Sequence, residues 1–273
     1  MKAIIACGPV MYFFRMPSML TSTSLKQLIP PRKRYLLRQA AWFIRSMRYA
    51  GNSVYCPCCN RHFGRFIRWD PSDPKDDNYV CPNCSSQSRH RLLWHFLHAR
   101  TRLFTDRLSV LHFAPELFFW KKFRRQRNLA YIPVDLLSNL ADAKLDIQHL
   151  PFVNFAFDVI ICNHVLEHVP DDRGALAELY RVINPGGWAA ILVPIDAARE
   201  TTYEDQRITT PAERLRHFGQ DDHVRICGRD YSARMESAGF MVETVHYAAE
   251  LPENVRQRYK LMQDEDIFVC RKG

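Results

Sequence analysis

The sequence predicts an α/β architecture, a largely parallel sheet with helices on both faces, preceded by a small four-cysteine module. Three observations carry that reading. From Ser109 onward, short apolar runs alternate with helical stretches, the pattern of strands joined by crossover helices. Upstream, five of the nine cysteines fall in two tight clusters. The 273 residues also suffice for one sizeable core and a small appendage. The chain divides into a basic, partly helical segment (1–50), the cysteine module with a linking helix (51–104), and the α/β domain (105–273) with an insertion at about 196–228.

Composition excludes some classes. Apolar residues make up 47% and charged residues 25%, an ordinary globular balance. No apolar run approaches the roughly 20 residues that span a bilayer. Met1 to Phe14 faintly suggests a signal peptide, but Pro9 and Arg15 interrupt it and no small-residue cleavage site follows. The expected location is therefore cytoplasmic. The net charge of +9 is unevenly placed: residues 1–105 hold 17 Lys/Arg against 4 Asp/Glu, and residues 106–273 hold 21 against 25. A basic half favours an anionic partner, either nucleic acid, with RNA a candidate, or a membrane surface, and a solvated basic face is the competing reading.

The cysteines come as Cys56-Pro-Cys58-Cys59 and Cys81-Pro-Asn-Cys84. Each cluster holds a C-x-x-C pair, and the spacing between pairs is close to that of a zinc ribbon. Two turns that each present two thiolates can close a tetrahedral shell around Zn²⁺. Cys56, Cys59, Cys81 and Cys84 are the expected ligands, with Cys58 as a spare thiol able to replace Cys59. Four sulfur ligands leave no open position, so the expected role is structural. A redox pair would need only one cluster, and disulfides are disfavoured by the cytosolic reading and the odd cysteine count.

Before the module, Arg32 to Tyr49 places Leu36, Leu37, Ala40, Ala41, Ile44 and Met47 at helical spacing, bordered by Arg34, Arg38, Arg45 and Arg48. Within it, Arg61, His62, Arg65, Phe66, Arg68 and Trp69 mix base and aromatic, as nucleic-acid binders and plain packing surfaces both do. Arg89 to Phe104 reads as the linking helix. Strands are expected at Ser109–Phe113, Tyr131–Val134, Val159–Cys162, Ala189–Val193, Phe240–His246 and Ile267–Arg271. Helices are expected at Phe118–Arg127, Arg173–Ile183 and Asp230–Ala238. Asp171 and Asp172 suit the positive end of the second of these, and Asn184-Pro185-Gly186-Gly187 reads as its stop and turn.

Two stretches carry a family resemblance. Phe157-Asp-Val-Ile-Ile-Cys-Asn163-His-Val-Leu-Glu-His168-Val is followed, at matching spacing, by Leu179-Tyr-Arg-Val-Ile-Asn-Pro-Gly-Gly187-Trp-Ala-Ala-Ile-Leu-Val193. Together they resemble the class I S-adenosylmethionine-dependent methyltransferases of the type 11-like group, well over residues 105–195 and more loosely over 225–273. The resemblance implies a Rossmann-like seven-stranded sheet closed by an antiparallel hairpin, and S-adenosylmethionine as cofactor.

Carried over by position, Val110 to Glu116 occupies the first-strand motif. His112 stands at the family's acidic place, and Ala114 and Glu116 stand where its first two glycines would be. Glycine there lets cofactor approach the backbone and permits positive φ. Glu116 cannot substitute for that, so the cofactor sits farther out, or Glu116 meets its aminoacyl end, or cofactor binding is lost. The resemblance further assigns Asp135 to the ribose hydroxyls, Asp146 and Ile147 to the adenine, and Asn163 and His164 to the ligand edge of the sheet. Singly, each Asp also fits a turn or cap. His164 and His223 are the candidate catalytic residues, with His168 and Asp196 behind them. The polar segment 196–228 is expected to be a substrate lid, contacting substrate through His217, His223 and Arg225.

The function expected is methyl transfer to RNA, a sugar or a small molecule. A non-catalytic binding protein that keeps the fold is the alternative. A nicotinamide dehydrogenase is disfavoured, because no G-x-G-x-x-G follows the first strand.

Overall fold

A computed structural model describes residues 44–69 and 79–273. Most of the basic helix expected from Arg32 to Tyr49 lies outside the described residues. Its last turn, 44–47, is helical. There Ile44 and Met47 are 54% and 55% exposed rather than packed inward. Arg45 turns in instead, its Nε donating to Pro82 O at 3.0 Å and its Nη2 to Ser85 Oγ.

The cysteine module is two small hairpins, β1 (Val54–Cys56) with β2 (Arg61–Phe63) and β3 (Ile67–Arg68) with β4 (Tyr79–Val80). Helix α1 (Ser88–Arg100) follows. It ends four residues before the expected Phe104, because the Thr101 hydroxyl donates to Leu97 O and accepts from Leu103 N, closing the last turn.

The elements after α1 are β5 (Leu108–Phe113), α2 (Leu117–Phe123), β6 (Leu129–Asp135), β7 (Ala143–Lys144), β8 (Phe157–Asn163), α3 (Asp172–Val182) and β9 (Ile183–Leu192). Then come β10 (Tyr203–Glu204), α4 (Pro211–Phe218), β11 (Arg225–Ile226), α5 (Tyr231–Ser237), β12 (Met241–Val245), α6 (Tyr247–Glu250), α7 (Glu253–Tyr259) and β13 (Ile267–Arg271). Seven strands form one sheet in the order β12-β13-β9-β8-β5-β6-β7. The pairs from β9 to β7 are parallel; β13 runs antiparallel to both β9 and β12. This is the expected Rossmann-like seven-stranded sheet with its closing antiparallel hairpin.

Period-two alternation along the strands builds two cores. Val110, Val159, Ile161, Ala190, Ile267 and Val269 face one side, against α1, α2 and the cysteine module. Leu111, Phe113, Ile160, Cys162, Ile191 and Phe268 face the other, against α3 and α5. The module therefore shares a core with the sheet, through Val54, Phe63 and Phe66. Arg91, fully buried, fastens them further: it donates to Tyr79 O (2.9 Å), Ser86 O (2.6 Å), Tyr259 O (2.6 Å) and Lys260 O (2.8 Å).

Two expectations change here. Asn184 to Gly187 is not a turn ahead of the strand but an irregularity inside β9, where pairing jumps from Phe157↔Ile183 to Val159↔Trp188. Gly187 is needed because a Cβ there would meet Asn184 O and Asp158 O at 2.9 Å. Segment 196–228 is a folded unit rather than an aperiodic loop. Thr210 and Glu213 form a capping box, Pro211 opens α4, and Gly219 closes it at φ 81°.

Candidate functional site

The site lies where β5, β6 and β8 end, the edge at which open α/β sheets bind ligands. The ladder runs one residue past β5 and β8: Ala114 N donates to Val134 O at 3.0 Å and His164 N to Leu192 O at 2.9 Å. Both residues then turn with positive φ, 47° for Ala114 and 52° for His164. Ala114 thus takes the left-handed conformation that glycine would supply, at a cost in strain but with only a methyl in the way.

Glu116, the residue before α2, points its carboxylate back across these strand ends. His90 Nε2 lies 3.1 Å from Oε1, His112 Nε2 lies 3.3 Å from Oε2, and Asn163 Nδ2 donates to Oε1. The other ring nitrogens bear on the tautomers. Gln87 N donates to His90 Nδ1 at 3.1 Å, and the Tyr131 hydroxyl lies 2.9 Å from His112 Nδ1. The first contact leaves the His90 proton on Nε2, the nitrogen that faces Glu116, whereas the Tyr131 hydroxyl can either donate to His112 Nδ1 or accept from it. Burial lowers the His90 pKa despite Glu116, which fits a neutral ring. Asn163 Oδ1 is buried there without a hydrogen-bond partner. His90, 26 positions upstream of Glu116, went unnoticed in the sequence, its only local signal being the Gln87–His90 capping box.

Burial by itself would raise the Glu116 pKa, but His90 and His112 hold it well below the usual carboxylate range. A depressed folded value contributes stability that is full above the ordinary carboxylate range and lost as pH falls through the folded value. Glu116→Gln is expected to cost about 2–3 kcal/mol at neutral pH, with the gap to wild type beginning to close below about pH 4.5. Denaturant unfolding at a series of pH values checks this, and a gap constant from pH 7 to about pH 3.5 would contradict it.

The other residues assigned to cofactor lie near the same edge. Asp135 Oδ1 accepts from Leu137 N (2.5 Å) and Ser138 N (2.6 Å), so it builds the turn after β6 as well. Asp146 accepts from Gln148 N at 2.9 Å and from the Gln148 side chain. Ile147 is 5% exposed and packs in the sheet core.

The histidines require a correction. His164, expected as a base, has Nδ1 at 3.0 Å from Glu167 and Nε2 at 2.9 Å from Glu265. Burial and Arg89 would lower its pKa, but the two carboxylates outweigh them and raise it. Flanked by a carboxylate on each ring nitrogen, it is not a free base. Arg225, expected to touch substrate, is structural: its guanidinium donates to Leu166 O, Val169 O (2.6 Å) and Pro170 O (3.0 Å) and pairs with Glu204 at 3.1 Å. His217 lies 3.3 Å from the Tyr203 hydroxyl. His223 reaches the loop after β8, its ring 4.7 Å from that of His168.

In the module, Cys56, Cys59, Cys81 and Cys84 place their sulfurs within 4.8 Å of one another, with 3.6 Å from Cys56 to Cys84 and 3.7 Å from Cys59 to Cys81. Tetrahedral bonds of about 2.3 Å would hold sulfurs ~3.8 Å apart, so the cluster fits Zn²⁺. Each knuckle ends on a left-handed residue, Asn60 at 55° and Ser85 at 60°. Cys58 lies outside the four and points to His90 O at 3.6 Å.

Residues 119–191 match the family model described as a methyltransferase domain. The chain is 28% identical over 128 residues to a 27-O-demethylrifamycin SV methyltransferase of Amycolatopsis mediterranei, covering 45% of this chain and 43% of that protein. It is 30% identical over 102 residues to a demethylmenaquinone methyltransferase of Lactiplantibacillus plantarum, covering 37% and 39%. The matches thus span about two fifths of the length of these curated relatives. Among solved structures, it is similar to a Burkholderia thailandensis 1,6-didemethyltoxoflavin-N1-methyltransferase with a TM-score of 0.47 and 15% identity, covering 68% of this chain and 78% of that one. No helix among the described residues is long and apolar enough to cross a membrane. The segment matched to that methyltransferase-domain family, residues 119–191, lies inside a sheet of the expected strand order.

Proposed function

We propose that this chain is an S-adenosylmethionine-dependent methyltransferase, with cofactor over the ends of β5, β6 and β8 and a structural Zn²⁺ on Cys56, Cys59, Cys81 and Cys84. The observation that carries the first part is the Glu116 carboxylate, turned back over the strand ends between His90, His112 and Asn163 at the edge of the sheet. A carboxylate held ionised at this edge favours a cationic ligand. The cofactor supplies a methyl group activated on a sulfonium and a cationic aminoacyl end. Glu116 would hold the ammonium, Ala114 would admit the backbone approach, and Asp135 would accept from the ribose through Oδ2, since Oδ1 is used by its turn. Asp146 would accept from the adenine amine.

The acceptor is a methyl-accepting RNA, sugar or small molecule. The basic residues of the N-terminal half favour testing RNA first. The chain's task at the acceptor is in-line positioning. His164, flanked by Glu167 and Glu265, would orient rather than deprotonate, leaving His223 as the histidine available to the chemistry.

Calorimetric titration of the zinc-replete protein with S-adenosylmethionine and S-adenosylhomocysteine tests the reading. Micromolar binding is expected. Asp135→Asn, which keeps an acceptor for the turn, should weaken it by about 10–100-fold. No binding by folded protein would favour the alternative, a non-catalytic binding protein in which Glu116 has closed the pocket. An acceptor screen, RNA before metabolites, follows a positive result.

A further inference from the structure

A second group of metal-ligand side chains lies beside the methyltransferase edge and away from the cysteines. Glu167 and His168 come from the single helical turn after β8 (Leu166–His168), and His223 from the segment before β11. Val224 N donates to Glu167 O at 2.9 Å, and this backbone bond holds the two segments together. One ligand atom from each of the three side chains lies within 4.8 Å of the other two.

Their partners do not account for them. Glu167 is fully buried, and neither carboxylate oxygen has a hydrogen-bond partner; His164 Nδ1 lies 3.0 Å from Oε1. His223 is 7% exposed, and its ring stands edge-on to that of His168 at 4.7 Å. Asp222 Oδ2 stands 3.4 Å from His168 Nδ1, and its other oxygen is buried and unpaired. A carboxylate on one nitrogen of an imidazole is the usual support of a metal-binding histidine, leaving the opposite nitrogen for the ion.

We propose that Glu167, His168 and His223 form a binding site for a divalent transition-metal ion, with Asp222 supporting His168. Two imidazoles and one carboxylate suit zinc, cobalt or manganese rather than magnesium, which prefers oxygen alone. Ion bonds of about 2.0–2.2 Å need only small side-chain rotations to draw the three together. Three protein ligands leave positions open to oxygen ligands, water first, in contrast to the closed cysteine site. The site does not depend on cofactor binding.

The test is titration of the full chain, loaded with one equivalent of zinc for the cysteines, with Co²⁺ alone, followed by visible absorption and metal analysis. One Co²⁺ per chain is expected beyond the resident zinc, with weak bands of a nitrogen–oxygen ligand set and no thiolate-to-metal charge transfer. His223→Ala and His168→Ala should each weaken that binding by ~100-fold or more, and Asp222→Asn by about 10–100-fold. Retention of one zinc per chain and an unchanged circular dichroism spectrum establish that the variants are folded. Absence of a second ion in wild type, or equal Co²⁺ binding by the folded His223→Ala variant, overturns the proposal.

Discussion

Replacing Cys81 by serine should strip the protein of its zinc and lower its melting temperature by about 10 °C or more. The four sulfurs are arranged for one tetrahedral ion, and structural zinc contributes apparent binding free energies of about 10–16 kcal/mol in small modules. Loss of one thiolate ligand removes at least ~4 kcal/mol of that. The effect should not stay local. Val54, Phe63 and Phe66 sit in the same core as Val110 and Val159 of the sheet, so an unravelled module uncovers one sheet face. Scanning calorimetry with zinc analysis checks this. A wild-type protein that holds no zinc and is indifferent to chelator would remove the metal assignment.

The other large effect is expected at Asp172, at the start of α3. Its neighbour Asp171 caps the helix, accepting from Gly174 N at 2.9 Å. Asp172 turns inward, where it accepts from the Tyr231 hydroxyl at 2.9 Å and from Arg234 at 3.1 Å, with Arg225 at 3.5 Å. Arg225, Arg234 and Asp172 are all buried. Removing the carboxylate strands two guanidinium groups in the core, with Glu204 as the remaining counter-charge. Asp172→Ala should therefore cost about 3–5 kcal/mol in urea unfolding. Tyr231→Phe removes one hydrogen bond and should cost about 1 kcal/mol. Equal losses in the two variants would show that the hydroxyl bond, and not the charge, is what the site contributes.

Much of this fold was legible in residue order, because parallel strands announce themselves as apolar runs. The six strands expected from Ser109 to Arg271 are all present, extended by a residue or more at several ends. The seventh, β7, has two residues, too few for periodicity to register. Long-range partners were the unreadable part. Arg225 looked like a lid residue because it lies among polar neighbours, yet its guanidinium closes the carbonyls of 166, 169 and 170, some 55 positions away. Likewise Glu116 read as an obstacle until His90 and His112 converged on it. In the insertion, by contrast, Thr210-Pro-x-Glu213 and Gly219 were in plain view as helix boundaries. They were outweighed by the polar composition between them. Composition argues weakly where capping chemistry is explicit.

The carbonyl partners of Arg91 also impose an order of events during synthesis. Two of them, at Tyr79 and Ser86, emerge from the ribosome just before Arg91 itself; the other two, at Tyr259 and Lys260, follow 168 and 169 residues later. At about 5–20 residues per second, the nascent module waits roughly 8–34 s for them. Throughout that interval its guanidinium must stay hydrated and the apolar face around Phe63 and Phe66 uncovered. Early metal capture would let the knuckles hold their shape while the rest of the chain is made. The last helix before β13 would then dock onto a preformed surface, converting a long-range closure into a late annealing step.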